Sequence, residues 1–292
     1  MQSETGLQLL ARLGSRPSIA GVLSPIFNDG PSAKDVIELF GTEGTGKSEI
    51  LLNLVAGIIL PKTWKSVNLN GKDASVIFID NDYKFSILRL VTVMENRIHA
   101  TLKNAHQAEE NLTNDVELLI QKCLSKLSLI RCTNSSELLV TLYSLEQTLL
   151  SNPNISVIMI DSISAFYWID KCNGGESLAA QEKNLTLISE VLSKFINSFS
   201  LIVIATKCAL MKKRMREDYN LEKSASNIDR LKNDHQEFLC KAWGQLVTQR
   251  FHVEKQLASN HFKCYCIHLG SSKNADKTVI QFQITDNGIQ VL

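Results

Sequence analysis

The 292-residue chain balances 31 basic against 30 acidic side chains, and 44% of its residues are hydrophobic. That length and composition exclude a small staple-dependent scaffold, and the near-zero net charge confines any polyanion-binding surface to a local patch. Seven cysteines, an odd number with no CxxC pair, fit a reduced compartment, and the richest apolar run, Leu54–Leu60, is too short to span a bilayer.

In chain order, Leu7, Leu10, Ala11 and Leu13 have helical spacing and precede Pro17, Pro25 and Pro31, which predicts a leader over residues 1–35 of one short helix and an extended segment. Glu4 stands where a secretory peptide is basic, which argues against secretion. From residue 36 β-rich runs recur at Val36–Phe40, Ser75–Asp80, Leu127–Arg131, Ile155–Asp161 and Leu201–Thr206, separated by helical patterns. Strands alternating with helices predict an α/β fold with a mostly parallel central sheet covered on both faces. Residues 207–237 are highly charged and predict a mobile loop. Four further strand candidates, Leu246–Glu254, Phe262–Leu269, Thr278–Ile284 and Gly288–Leu292, predict an antiparallel extension of the same sheet.

The stretch Gly41-Thr42-Glu43-Gly44-Thr45-Gly46-Lys47-Ser48 matches G-x-x-x-x-G-K-[ST] between a predicted strand and an apolar helix. Its glycines let successive backbone N–H groups turn inward, and the following helix N-terminus favours anionic phosphate there. ATP and Mg²⁺ are therefore the expected ligands, with Lys47 on the β and γ phosphates and Ser48 on the metal. Asp161, at the end of an apolar strand run, is the expected acidic partner of the Mg²⁺.

Asp161 with the following Ser162-Ile163-Ser164-Ala165-Phe166-Tyr167, Ile77-Phe78-Ile79-Asp80 on an earlier strand, Gly174-Gly175-Glu176, and Trp243 with Arg250 together resemble the RecA-like strand-exchange recombinases. The resemblance covers residues 36–292 and is strongest to divergent paralogs within that family. It implies a RecA-like P-loop NTPase core over 36–292 and a nuclear subunit of a paralog complex that promotes homologous recombination repair of DNA double-strand breaks. It also implies a D-type recombinase paralog as partner, single-stranded or branched DNA as ligand, and no membrane association.

The chain departs from an active recombinase at three places. Asp82 stands where the family has a water-orienting Glu; it is one methylene shorter, so hydrolysis should be weak or absent, although a turn Asp beside Asn81 is an equal reading. Cys208 replaces a polar γ-phosphate sensor, and Lys207 beside it reads as a solvated loop lysine, with a cation substituting for the sensor as the other reading. Gly174 stands where a DNA-contacting loop carries a basic residue. The cluster Lys212, Lys213, Arg214 and Arg216 is the DNA-binding candidate, with a nuclear import signal and a solvated face as competing readings. An active DNA-stimulated ATPase or strand-exchange enzyme is the alternative function, and a P-loop small-molecule kinase a more distant one.

Overall fold

The computed structural model describes residues 5–6, 9, 14–27, 30–104, 113–209, 237–256, 261–268 and 279–292, the last four residues of 261–268 as backbone only. Among them, in order, are α1 (Ser24–Phe27), β1 (Val36–Gly41), α2 (Lys47–Ile59), β2 (Thr63–Trp64), β3 (Val67–Asn68), β4 (Ser75–Asp80), α3 (Ile87–Asn104), α4 (Thr113–Leu124), β5 (Leu127–Ile130) and α5 (Ser135–Ser151). The chain continues through β6 (Ile155–Asp161), α6 (Tyr167–Asn173), α7 (Leu178–Phe199), β7 (Ile202–Cys208), α8 (Lys241–Leu246), β8 (Gln249–Lys255), β9 (His261–His268), β10 (Val279–Thr285) and β11 (Gly288–Val291).

Nine strands form one sheet in the order β11-β10-β9-β8-β1-β7-β6-β4-β5. Six of them, β8 through β5, are mutually parallel, and β9, β10 and β11 continue antiparallel from β8. Strand alternation divides the core. Ile37, Leu39, Phe78, Met159 and Ile204 pack on one face under α2, α3 and α4, while Val36, Ile79, Ile160, Val203 and Ala205 pack on the other under α5 and α7. Helix faces match this division: Leu90, Val93, Met94, Ile98 and Leu102 recur every three or four residues along α3 and are all buried. Helix α5 starts at Asn134, whose side chain accepts from the Glu137 N–H, while the Glu137 carboxylate accepts from Thr133 N at 2.7 Å.

The structure corrects the sequence reading at two points. The first predicted C-terminal strand, β8, is parallel to β1 rather than antiparallel, because the chain leaving β7 returns over the sheet through α8 before entering it. Lys207 and Cys208, assigned above to a loop, are the last two residues of β7, in register with Phe40 and Gly41. The small β2–β3 hairpin was not anticipated, since two-residue strands leave no periodicity.

The described residues ahead of β1 are tied to the core. The Arg16 guanidinium donates to the carbonyls of Leu149 (2.8 Å), Ile155 (2.6 Å) and Phe199 (3.0 Å), and Ile19, Val22, Ile26 and Phe27 are buried.

Candidate functional site

Strand β1 ends at Gly41, and the chain crosses from there into α2 through a loop with Gly44 at φ +74° and Gly46 at φ +89°. Side-chain-bearing residues rarely adopt such values, and Gly46 is also the residue that caps α2. Gly41 is required for another reason: a Cβ there would lie 2.2 Å from the Val253 carbonyl oxygen of β8. The Thr45 hydroxyl donates to Thr42 O at 2.9 Å, and Lys47 Nζ donates to Gly41 O at 2.8 Å and Thr42 O at 2.6 Å. Burial pushes the Lys47 ammonium below its ordinary pKa range.

Asp161 emerges from β6 almost wholly buried, and its Oδ1 accepts from the Thr206 hydroxyl of β7. On the neighbouring strand β4, Asp80 accepts from Lys84 N (2.9 Å) and Phe85 N (3.2 Å) of the loop that follows and pairs with Arg131. Asp82 lies in the bend at residues 81–83 and also lines the cleft, so both readings of it place it there. Asp82 N donates to Asp161 O at 3.1 Å, its carboxyl bonds Ser162, and burial, followed by repulsion from Asp161, pushes its pKa up. Lys84 reaches over to Glu43 at 3.0 Å.

These elements enclose a cleft of about 650 Å³ lined by residues 43–49, Asp82, Lys84, Asp161, Thr206, Cys208 and Ile284 among others. Of the predicted set, Glu43, Gly44, Thr45, Gly46, Lys47, Ser48, Asp82 and Asp161 all line it, and Gly41 and Thr42 lead into it. The residues suit a magnesium polyphosphate. Ser48 and Asp161 are hard oxygen donors of the kind Mg²⁺ takes, and a Cβ at Gly46 would press within 3.1 Å of Ile284, narrowing the cradle. Lys84, Thr206 and Ile284 were missed by sequence reasoning, because each comes from an element whose end only the fold brings here.

Directly behind the loop lies a charge cluster that the sequence reading also missed. Glu38 of β1 is 0% exposed and accepts from Trp243 Nε1 at 2.7 Å and Arg250 Nε at 2.5 Å, with Lys207 Nζ 2.9 Å away. Glu237 joins both cations, at 3.1 Å from Lys207 and 2.9 Å from Arg250. Lys207, expected to be a solvated loop residue, is thus 1% exposed. Burial alone would raise the Glu38 carboxyl, but Lys207, Arg250 and Trp243 outweigh it and hold the group below its ordinary range. The one available signal was Glu38 itself, a carboxylate inside the apolar run Val36–Phe40, which demands buried cations from neighbouring strands.

Tyr167 and Trp168 open α6; the Tyr167 ring meets Trp168 and Phe238 edge-on, and Trp168 is 57% exposed at the cleft. Gly174 sits against α7, where a Cβ would lie 2.5 Å from Gln181 N, so no basic side chain fits there without moving the helix. Lys212, Lys213, Arg214 and Arg216 lie outside the described residues.

A parallel sheet with a phosphate loop after its central strand, an acidic residue two strands away and an antiparallel extension defines a RecA-like core. The Rad51 family model matches residues 20–215, and the chain belongs to that family. It is 35% identical to the DNA repair protein XRCC2 of Mus musculus, over 99% of this chain and 97% of that protein. It is also similar to the DNA repair protein XRCC2 homolog of Arabidopsis thaliana (28% identity, 86% of this chain and 77% of that protein). A third relative is the DNA repair protein RAD51 homolog 3 of Cricetulus griseus (23% identity, 98% and 72%).

Proposed function

We propose that the chain is an ATP- and Mg²⁺-binding subunit of a recombinase paralog complex that acts in homologous recombination repair of DNA double-strand breaks in the nucleus, and that its own ATP hydrolysis is weak or absent. The observation that carries this is the convergence of Lys47, Ser48, Asp161 and Asp82 on one cleft in a Rad51-family chain whose relatives are named DNA repair proteins. On this reading residues 36–292 are the ATP-binding core and residues 1–35 a leader. A D-type recombinase paralog is the partner, and single-stranded or branched DNA the nucleic-acid ligand, with Lys212, Lys213, Arg214 and Arg216 contributing phosphate contacts.

The bound magnesium nucleotide supplies the phosphate charge and the cation that neutralises it. Lys47, which donates to the Gly41 and Thr42 carbonyls, would hold phosphate oxygens in their place, and Ser48 and Asp161 would hold the metal. Asp82 orients water poorly, because its carboxyl is one methylene short and is held by Ser162. Cys208 offers only a weak hydrogen bond at the end of β7. Support for a structural rather than a catalytic nucleotide comes from these two positions together.

The test is ATP binding and steady-state turnover by the chain with its paralog partner and single-stranded DNA, comparing wild type with Lys47→Ala. Binding lost in the variant with background turnover in both supports the proposal. Substantial turnover abolished by the substitution overturns weak hydrolysis and favours the active ATPase, and unchanged binding overturns the site.

A further inference from the structure

Helix α2 has a second polar end. Gly57 lies about 15 Å along the helix from Lys47 at the usual rise per residue. There, an open cleft of about 710 Å³ lies between the leader segment Ser18–Pro25, α2, the chain around the β2–β3 hairpin and α3. Lys62, Lys72 and Arg97 line it, and among the described residues no carboxylate and no aromatic ring does. The Arg97 guanidinium reaches across to the bare backbone of Gly57, where Nη1 lies 3.2 Å from the place a Cβ would occupy.

None of these three side chains has an ion pair or hydrogen-bond partner among the described residues. Cations at a helix C-terminus ordinarily serve its free carbonyls, but here those carbonyls are already taken. Gly57 O, Ile58 O and Leu60 O accept from the backbone N–H groups of Lys72, Ala74 and Asp73, and Ile59 O accepts from Lys126. Burial pushes the Arg97 guanidinium below its ordinary pKa range, with no acidic neighbour to offset the cost. A planar guanidinium and two ammonium groups lining one cleft suit phosphate oxygens. The absence of a lining ring leaves nothing to stack a base, so the ligand would be read through its phosphates alone.

We infer that this cleft is a second phosphate site, separate from the phosphate loop, which takes phosphodiester groups of a single-stranded DNA backbone. The choice of DNA over a free polyphosphate rests on the repair role proposed above; the phosphate chemistry does not.

The experiment is a salt titration of fluorescent oligothymidylate binding to the full chain without nucleotide, for wild type, Lys62→Gln/Lys72→Gln and Arg97→Gln. The double variant changes only exposed or half-buried side chains, and its Tm checks folding. Loss of two phosphate contacts should lower the slope of log affinity against log salt by about 1.4, which is about 25-fold weaker binding at about 0.1 M salt. Binding of a fluorescent ATP analogue should be unchanged in the double variant and lost in Lys47→Ala, so the two sites fail separately. With the phosphate loop disabled by Lys47→Ala in both chains, an unchanged DNA slope combined with loss, on adding Lys62→Gln/Lys72→Gln, of the Tm rise given by inorganic tripolyphosphate supports the phosphate site with a free polyphosphate as its source. If neither DNA binding nor tripolyphosphate stabilisation responds to the double variant or to Arg97→Gln, the inference is overturned.

Discussion

Glu38→Gln probes the charge cluster behind the phosphate loop. In the wild type Oε1 faces Lys207 and Arg250 while Oε2 accepts from the Trp243 indole. A glutamine can offer one oxygen only, so either amide orientation sets an N–H against a donor, and one negative charge is lost from a fully buried position. Removing one partner of a buried ion pair costs about 3–5 kcal/mol. Glu237 still holds both cations, so the lower end, about 3 kcal/mol, is expected. That is a large share of the roughly 5–15 kcal/mol available to a folded domain. Urea unfolding followed by tryptophan fluorescence, with Trp243 as the buried reporter, measures it.

The pH dependence supplies a second reading of the same variant. Because the folded-state pKa of Glu38 is depressed, its contribution is present above the unfolded value of about 4.3 and is lost as pH falls through the folded value. The stability gap between wild type and Glu38→Gln should therefore be constant near neutrality and shrink below about pH 4. A gap under about 1 kcal/mol at pH 7, or one that does not narrow in acid, would refute the argument.

Three other outcomes are expected. Asp82→Glu restores the missing methylene at the cleft and should raise ATP turnover about tenfold or more over wild type, read by phosphate release; no increase would remove side-chain length as the cause of slow hydrolysis. Gly46→Ala forces a left-handed residue and presses on Ile284, so it should lower stability by about 1–2 kcal/mol and weaken nucleotide binding, measured by Tm and by titration with a fluorescent ATP analogue. Arg16→Ala removes the guanidinium that gathers carbonyls from three separate elements and should cost about 1.5–3 kcal/mol, with limited proteolysis cutting near residue 16 before the core.

Strands β4 and β6 were legible to the residue, because each is an apolar run closed by an aspartate, and the phosphate loop was legible because its fixed positions follow such a run. What escaped depends on distant partners. Lys207 belongs by composition to the basic stretch that follows it, and only the β1–β7 register brings it beside Phe40, on the same sheet face as Glu38. Helix α6 begins with two aromatic residues and spans less than two turns, too short for a periodic signal. The direction of β8 is set by the crossover through α8, which strand composition does not record. Asp82 lines the same cleft as the phosphate loop, next to a bend in which Asp80 accepts from the Lys84 and Phe85 N–H groups, and composition does not record that bend.

The sheet is open, and an open sheet has two margins where backbone N–H and C=O groups face outward. Here those margins are β5 and β11, which run four residues each, whereas the seven strands between them run six to eight. A stray extended segment would find at most a couple of ladder bonds at either margin, too few to repay its ordering. Accidental strand addition at these two borders is therefore discouraged by their length alone.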